Sequence, residues 1–329
     1  MMGAEAYSAR SIKLTRAGQT SDSQNEFASL PLPCFKNVLM GTDFSPASQV
    51  ALMEAVHLCQ ASKAKLILLH VVEPGLFAHR SVRRHDAADL ARQTMKQLDE
   101  LMATVLREGV AAEPLLLEGR AAVRILDTIA EQEIDLAVLG TQGFRGLERL
   151  VFGSTAEEVL RSAFCPVITV GCRVAAHPTQ EGCGPVVFAT DFMEPATHAL
   201  QNAAEIANLE DVPVHSLHVL PLSMEGDSQQ AVIAQIMTEA LEHLVEKEPI
   251  FRRKPICAVT YGSEVSHAIV DYAKSKDAAL IVLGVRHKSR LATRLPAQVM
   301  YRIIVTAPCP VLTVSYQEFW ATSLSSACI

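Results

Sequence analysis

Through most of its length the chain alternates short apolar runs with stretches of helical periodicity. The runs near 36–42, 65–72, 113–118, 134–139 and 166–170 are rich in Val, Ile and Leu and predict strands; the stretches near 47–60, 84–108, 120–132 and 154–163 predict helices. Apolar strands that do not alternate with polar positions, separated by helices, indicate a parallel sheet covered on both faces. The first helix has a well-marked start, with Ser45 as N-cap and Pro46 at the first helical position.

The pattern then repeats. Val38-Leu39-Met40-Gly41-Thr42-Asp43-Phe44 returns as Val186-Val187-Phe188-Ala189-Thr190-Asp191-Phe192, and Leu69-His70-Val71 as Leu217-His218-Val219. Val138-Leu139-Gly140 returns as Val282-Leu283-Gly284, and Cys165-Pro166-Val167 as Cys309-Pro310-Val311. Matches in the same order along the chain mark a tandem duplication. The second unit accordingly predicts strands near 185–190, 213–219, 255–260, 279–283 and 310–314. Each unit reads as a doubly wound α/β domain, the first over 35–172 and the second over 185–316, with a linker at 173–184 and a tail at 317–329. Residues 1–34 are rich in Ser, Ala and Gln, lack an apolar core and read as a disordered leader; a basic, Ser-rich transit-like segment has the same composition.

Composition narrows the function. With 329 residues there is room for two domains, and 49% hydrophobic residues supply their cores. A net charge of −7 gives no basic footprint for nucleic acid. No apolar run is long enough to span a membrane, and the scattered cysteines have no metal-ligand spacing, so they read as reduced thiols of a cytoplasmic protein.

The candidate chemistry lies after the fourth strand, in Leu139-Gly140-Thr141-Gln142-Gly143-Phe144-Arg145-Gly146 and on to Gly153-Ser154-Thr155. Glycine admits positive φ and lets a ligand approach the main chain. Ser154-Thr155-Ala156-Glu157 reads as a capping box opening the next helix. A helix N-terminus carries unpaired N–H groups and partial positive charge, which suits phosphate. The alternative is a glycine-bearing loop before an ordinary capped helix, with Ser154 serving only that helix. The stretch is neither a Walker A loop nor a dinucleotide turn.

The spacing Gly140-x2-Gly143-x9-Gly153-Ser154-Thr155 resembles the nucleotide-binding signature of the universal stress protein family, in its ATP-binding branch. The resemblance covers both units. It implies two tandem doubly wound parallel five-stranded sheets of strand order 3-2-1-4-5, an order that brings the ends of the first and fourth strands to one cleft. It also implies a site for ATP, with Mg2+, formed by Asp43 at the ribose, the backbone of Val71 at the adenine edge, and Gly140, Gly143, Gly153, Ser154 and Thr155 at the phosphates. Asp43 has a competing role, capping the turn before the first helix. His70 and His218 read as satisfied core histidines rather than acid–base groups. Arg145 and Arg149 either add charge near the phosphates or lie on a solvated face.

The second unit departs from the signature, with His287 in place of Gly143, Ala297 in place of Gly153 and Gln298 in place of Ser154. Triphosphate binding is expected to be lost there. Arg286, Lys288, Arg290 and Arg294 leave either a weak anion site or, the favoured reading, a solvated basic loop. Family members pair through the last strand, here Val167–Val170 and Val311–Val314, which implies an intramolecular pseudo-dimer; a homodimer and an unidentified protein partner stay open. The reading is of a stress-response binding and signalling module, not an enzyme, since no metal-holding carboxylate and nucleophile-positioning pair can be placed at the loop. The alternatives are a slow ATPase or phosphoryl-transferring enzyme, or a nucleotide-free scaffold.

Overall fold

The computed structural model describes residues 35–73, 84–141, 152–171, 173–174, 184–193, 196–221, 228–248, 251–286 and 295–316. In the first half the elements are β1 (Asn37–Gly41), α1 (Pro46–Ser62), β2 (Lys65–Val72), α2 (Arg84–Arg107), β3 (Ala112–Glu118), α3 (Ala121–Glu131), β4 (Leu136–Gly140), α4 (Ser154–Ser162) and β5 (Val167–Val170). The second half follows with β6 (Val186–Ala189), α5 (Ala196–Leu209), β7 (Val214–Pro221), α6 (Ser228–Glu246), β8 (Ile256–Gly262), α7 (Val265–Ser275), β9 (Leu280–Arg286), α8 (Leu295–Thr306) and β10 (Val311–Tyr316). Every predicted strand and helix is present, with ends displaced by no more than three residues.

The strands lie in the order β3-β2-β1-β4-β5-β10-β9-β6-β7-β8. Each half is therefore a parallel five-stranded sheet of order 3-2-1-4-5, and the two join through their last strands into one ten-stranded sheet. The β5–β10 junction is antiparallel, with Val311 opposite Thr169 and Thr313 opposite Val167. The hydroxyls of Thr169 and Thr313 each donate across it, to the carbonyls of Val311 and Val167, both at 3.2 Å. The pairing covers two strand edges that would otherwise be free to recruit other chains.

Alternate residues of each strand enter opposite cores. Met40, Leu68, Val138 and Ile168 face the helices α1 and α2, in a core that continues through Val186, Phe188 and Leu312 to α5. Leu39, Ile67, Leu139 and Val167 face α3 and α4, in a core that continues through Val187, Ile281 and Val311 to α7 and α8. Each core thus runs across both halves.

Where the halves meet on the α1 side, His57 of α1 lies 2.9 Å from Glu210, which follows α5. With Glu54, Ile168, Val186 and Leu280 they line a cavity of about 20 Å³, room for a single water. The described cysteines Cys59, Cys165, Cys257 and Cys309 are free thiols. Burial pushes Cys59, Cys165 and Cys309 up to about 12, which makes them inert core residues.

Candidate functional site

Register gathers the predicted residues at one edge. Gly41 lies opposite Leu69 of β2 and opposite Leu139 of β4. Two residues further on, Asp43, Val71 and Thr141 leave the same end of the sheet, where ligands of doubly wound folds bind.

The turn from β1 into α1 is held tightly. Asp43 accepts a hydrogen bond from the Ser45 N–H at 3.0 Å, and Thr42 Oγ1 accepts one from the Phe44 N–H at 3.0 Å. Ser45 caps α1 by accepting from the Ser48 N–H at 3.2 Å, as its position before Pro46 predicted. Phe44 adopts the left-handed conformation, at φ 61°, which costs a β-carbon about 1 kcal/mol. His70 holds it there: its ring stacks on Phe44 at 4.5 Å while Nδ1–H donates to the Thr42 carbonyl at 2.8 Å. Burial lowers the His70 pKa, so the neutral Nδ1–H tautomer persists at neutral pH. The arrangement recurs at Phe192, with φ 63°, and His218 donates to the Thr190 carbonyl at 2.9 Å. Both histidines are thus structural posts, and Asp43 does occupy its turn-capping role, through one of its two oxygens.

Val71 is half-buried near the end of β2. Leu69 accepts from Thr42 on one side, and Val72 accepts from Gly119 on the other. Because successive residues of a strand direct their backbone groups to opposite neighbours, those of Val71 point to the β1 side, beyond the last residue of β1. That leaves a donor–acceptor pair facing the cleft. Glu73, just after β2, accepts from the Ala121 N–H at 2.8 Å and so caps α3.

On the phosphate side, Gly140 has a packing role. A β-carbon there would lie 2.9 Å from backbone atoms of Ala47 and Ser48, so α1 can pass β4 at this distance only over a glycine. Thr141 is a latch that the sequence reasoning missed: its N–H donates to Val170 at 3.0 Å, and its carbonyl accepts from the Gly153 N–H at 2.8 Å. It closes the loop between them. Gly143, Arg145 and Arg149 lie within that loop, outside the described residues.

The predicted capping box does not form. Gly153 is the N-cap of α4 and no side chain caps the helix. The Thr141 latch draws the chain into the helix one residue early, so that Ser154 becomes the first helical residue. Glu157 N–H donates to the Gly153 carbonyl, which leaves the N–H groups of Ser154, Thr155 and Ala156 without an acceptor among the described residues. Ser154 is exposed and Thr155 half-buried. The two carboxylates of this first turn face elsewhere: Glu157 pairs with Arg161 at 2.6 Å, and Glu158 pairs with Arg120. A helix start with three spare donors, two hydroxyls and its acids turned aside is suited to an anion.

The second half is built differently. Strand β9 runs to Arg286 and α8 begins at Leu295, so the connection spans 287–294, eight residues against the thirteen of 141–153. Ala297 and Gln298 are consequently inside α8 rather than at its cap. His287, Lys288, Arg290 and Arg294 lie outside the described residues.

The universal stress protein family model matches residues 35–171 and 183–315, most of the chain. The chain belongs to the universal stress protein family. Universal stress protein YxiE of Bacillus subtilis is 30% identical over 146 residues, spanning 41% of this chain and 99% of that protein. Universal stress protein Rv2623 of Mycobacterium tuberculosis has the tandem length, 25% identical over 290 residues that cover 84% of this chain and 95% of its own. Among solved structures, a universal stress protein from Archaeoglobus fulgidus covers 85% of this chain with a TM-score of 0.64 at 21% identity, a likeness of fold. Among the described residues no helix is long and apolar enough to cross a membrane, and no cluster of His, Cys, Asp and Glu is arranged to hold a metal ion.

Proposed function

We propose that this universal stress protein binds ATP in its first domain, 35–172, and acts in the cytoplasm as a stress-response binding and signalling module, with its second domain, 185–316, structural or partner-facing. The observation that carries the reading is the start of α4. Three N–H groups without an acceptor among the described residues and the Ser154 and Thr155 hydroxyls stand at the same sheet edge as Asp43 and Val71. In this reading the phosphates, with their Mg2+, lie on the α4 N-terminus and the loop through Gly140, Gly143 and Gly153. The adenine edge meets the backbone of Val71, and the second oxygen of Asp43, which has no donor among the described residues, takes the ribose hydroxyls. The described acids nearby favour binding over turnover, because Glu73, Glu157 and Glu158 are each engaged by protein donors and Asp43 is taken up by the ribose in this reading.

Removing both hydroxyls in a Ser154→Ala, Thr155→Ala variant is expected to weaken ATP about 30-fold by titration calorimetry, each lost hydrogen bond being worth about 1 kcal/mol net. Neither hydroxyl bonds to a described protein group, so the melting temperature without nucleotide should stay within about 2 °C. Unchanged affinity would remove α4 from the site.

A further inference from the structure

The first half's candidate phosphate helix is steadied by a residue of the second half. Tyr301, on α8, packs its ring against Phe152 with centroids 5.0 Å apart. Phe152 immediately precedes Gly153, so this contact pins the chain as it enters α4, one residue before the Gly153 N–H that bonds to Thr141. The Tyr301 hydroxyl also joins the side chains of α4. It accepts from Arg161 Nε at 2.9 Å and donates to Glu157 Oε1 at 3.4 Å, while Arg161 holds the same Glu157 oxygen at 2.6 Å. Burial raises the Tyr301 pKa, so the hydroxyl keeps its proton to donate.

The asymmetry of the pair is informative. At the offset that sets Cys309 on Cys165, Tyr301 stands where the first half has Glu157, and Val305 where it has Arg161. Two copies of the first half meeting here would place Glu157 against Glu157. The second half instead brings a ring for Phe152 and a hydroxyl that, together with Arg161, holds the Glu157 carboxylate.

We propose that Tyr301 is a positioning residue for the nucleotide site of the first half, making the second half, whose own loop has lost the signature, part of that site. The inference rests on the ATP reading above. It implies reciprocity: whatever Tyr301 contributes to nucleotide affinity, bound nucleotide returns to the packing of α8 on α4.

The test is ATP affinity of the full chain by calorimetry, alongside melting without nucleotide, for the wild type, Tyr301→Phe, Tyr301→Ala, Glu157→Gln and Tyr301→Phe with Glu157→Gln. Losing ring and hydroxyl together is expected to weaken ATP about tenfold in Tyr301→Ala, and losing the hydroxyl alone about threefold in Tyr301→Phe. Glu157→Gln removes the charge that the hydroxyl restrains, so it should return Tyr301→Phe to wild-type affinity, a recovery that general loosening of the fold would not produce. Wild-type affinity in Tyr301→Ala, or a loss in Tyr301→Phe that Glu157→Gln leaves untouched, overturns the inference while leaving the ATP reading in place. A wild type that binds no ATP overturns both.

Discussion

Replacing Gly140 by valine is expected to destabilise the protein by about 3 kcal/mol, the upper range for forcing extra carbons into a packed site. The β-carbon would sit 2.9 Å from the carbonyl carbon of Ala47 and the nitrogen of Ser48. Both are backbone atoms in the first turn of α1, so no side chain can rotate away. Relief requires α1 to withdraw from β4, and α1 is fully engaged, with Ala51, Leu52, Ala55 and Leu58 buried below it. The same withdrawal would move Ser45 and, through the bond from its N–H, Asp43. Gly140→Val should therefore lose ATP affinity together with stability, whereas the Ser154 and Thr155 variant loses affinity alone. Urea unfolding of the two variants, with and without ATP, checks this; a Gly140→Val protein of wild-type midpoint would contradict the packing argument.

The second large effect is a dependence on pH at the junction of the halves. Burial is the main cause raising the Glu54 carboxyl from 4.5 to about 7, partly offset by the nearby His57. His57 is itself raised, chiefly by its hydrogen bond to Glu210 and against the effect of burial. Both groups therefore bind protons more tightly in the folded chain than in the unfolded one. Stability contributed by Glu54 is complete below 4.5 and is lost as pH rises through about 7; that from His57 is complete below 6.5 and is lost above it. The two act in the same direction. A shift of this size in a carboxyl is worth about 3 kcal/mol, and the partial exposure of Glu54 reduces it to about 2 kcal/mol. The melting temperature is thus expected to fall by about 3 °C between pH 5.5 and pH 8.5 from this cluster, the remainder of the loss lying between pH 4.5 and pH 5.5. Glu54→Gln, which cannot ionise, should flatten most of that slope and melt higher than the wild type at pH 8.5. A slope unchanged by Glu54→Gln would place the titration elsewhere.

The fold was legible because its signals are local and repeated. Continuous Val, Ile and Leu runs named the parallel strands, Ser45-Pro46 marked the start of α1, and the duplication doubled each observation. The end of the sheet that gathers Asp43, Val71 and Gly140 followed once the strand order was supplied by resemblance to the family. The details that were not legible depend on contacts between distant residues. The capping-box pattern at Ser154 was present, but the carbonyl of Thr141, across the intervening loop, takes the Gly153 N–H and makes the glycine the cap. In the second half, residue-by-residue matching set Ala297 against Gly153 and Gln298 against Ser154, although a longer strand and an earlier helix start had absorbed both into α8. The contacts between halves, Phe152 with Tyr301 and His57 with Glu210, join positions about 150 residues apart, and neither pair carries a local pattern. Glu73 could have been found: a carboxylate just beyond a strand, ahead of a helix with no Ser, Thr, Asp or Asn at its start, is a candidate cap from elsewhere in the chain.

The most direct test is to purify the full chain without added nucleotide, unfold it, and count the adenine nucleotide released per chain, with the Ser154→Ala, Thr155→Ala variant beside it. One site working and one lost predicts about one nucleotide per wild-type chain and much less from the variant, with added ATP raising the wild-type melting temperature when the released amount is low. Two nucleotides per chain would contradict the loss of the second site. No nucleotide, together with no thermal shift on adding ATP and Mg2+, would contradict the account as a whole and leave the α4 N-terminus without a ligand.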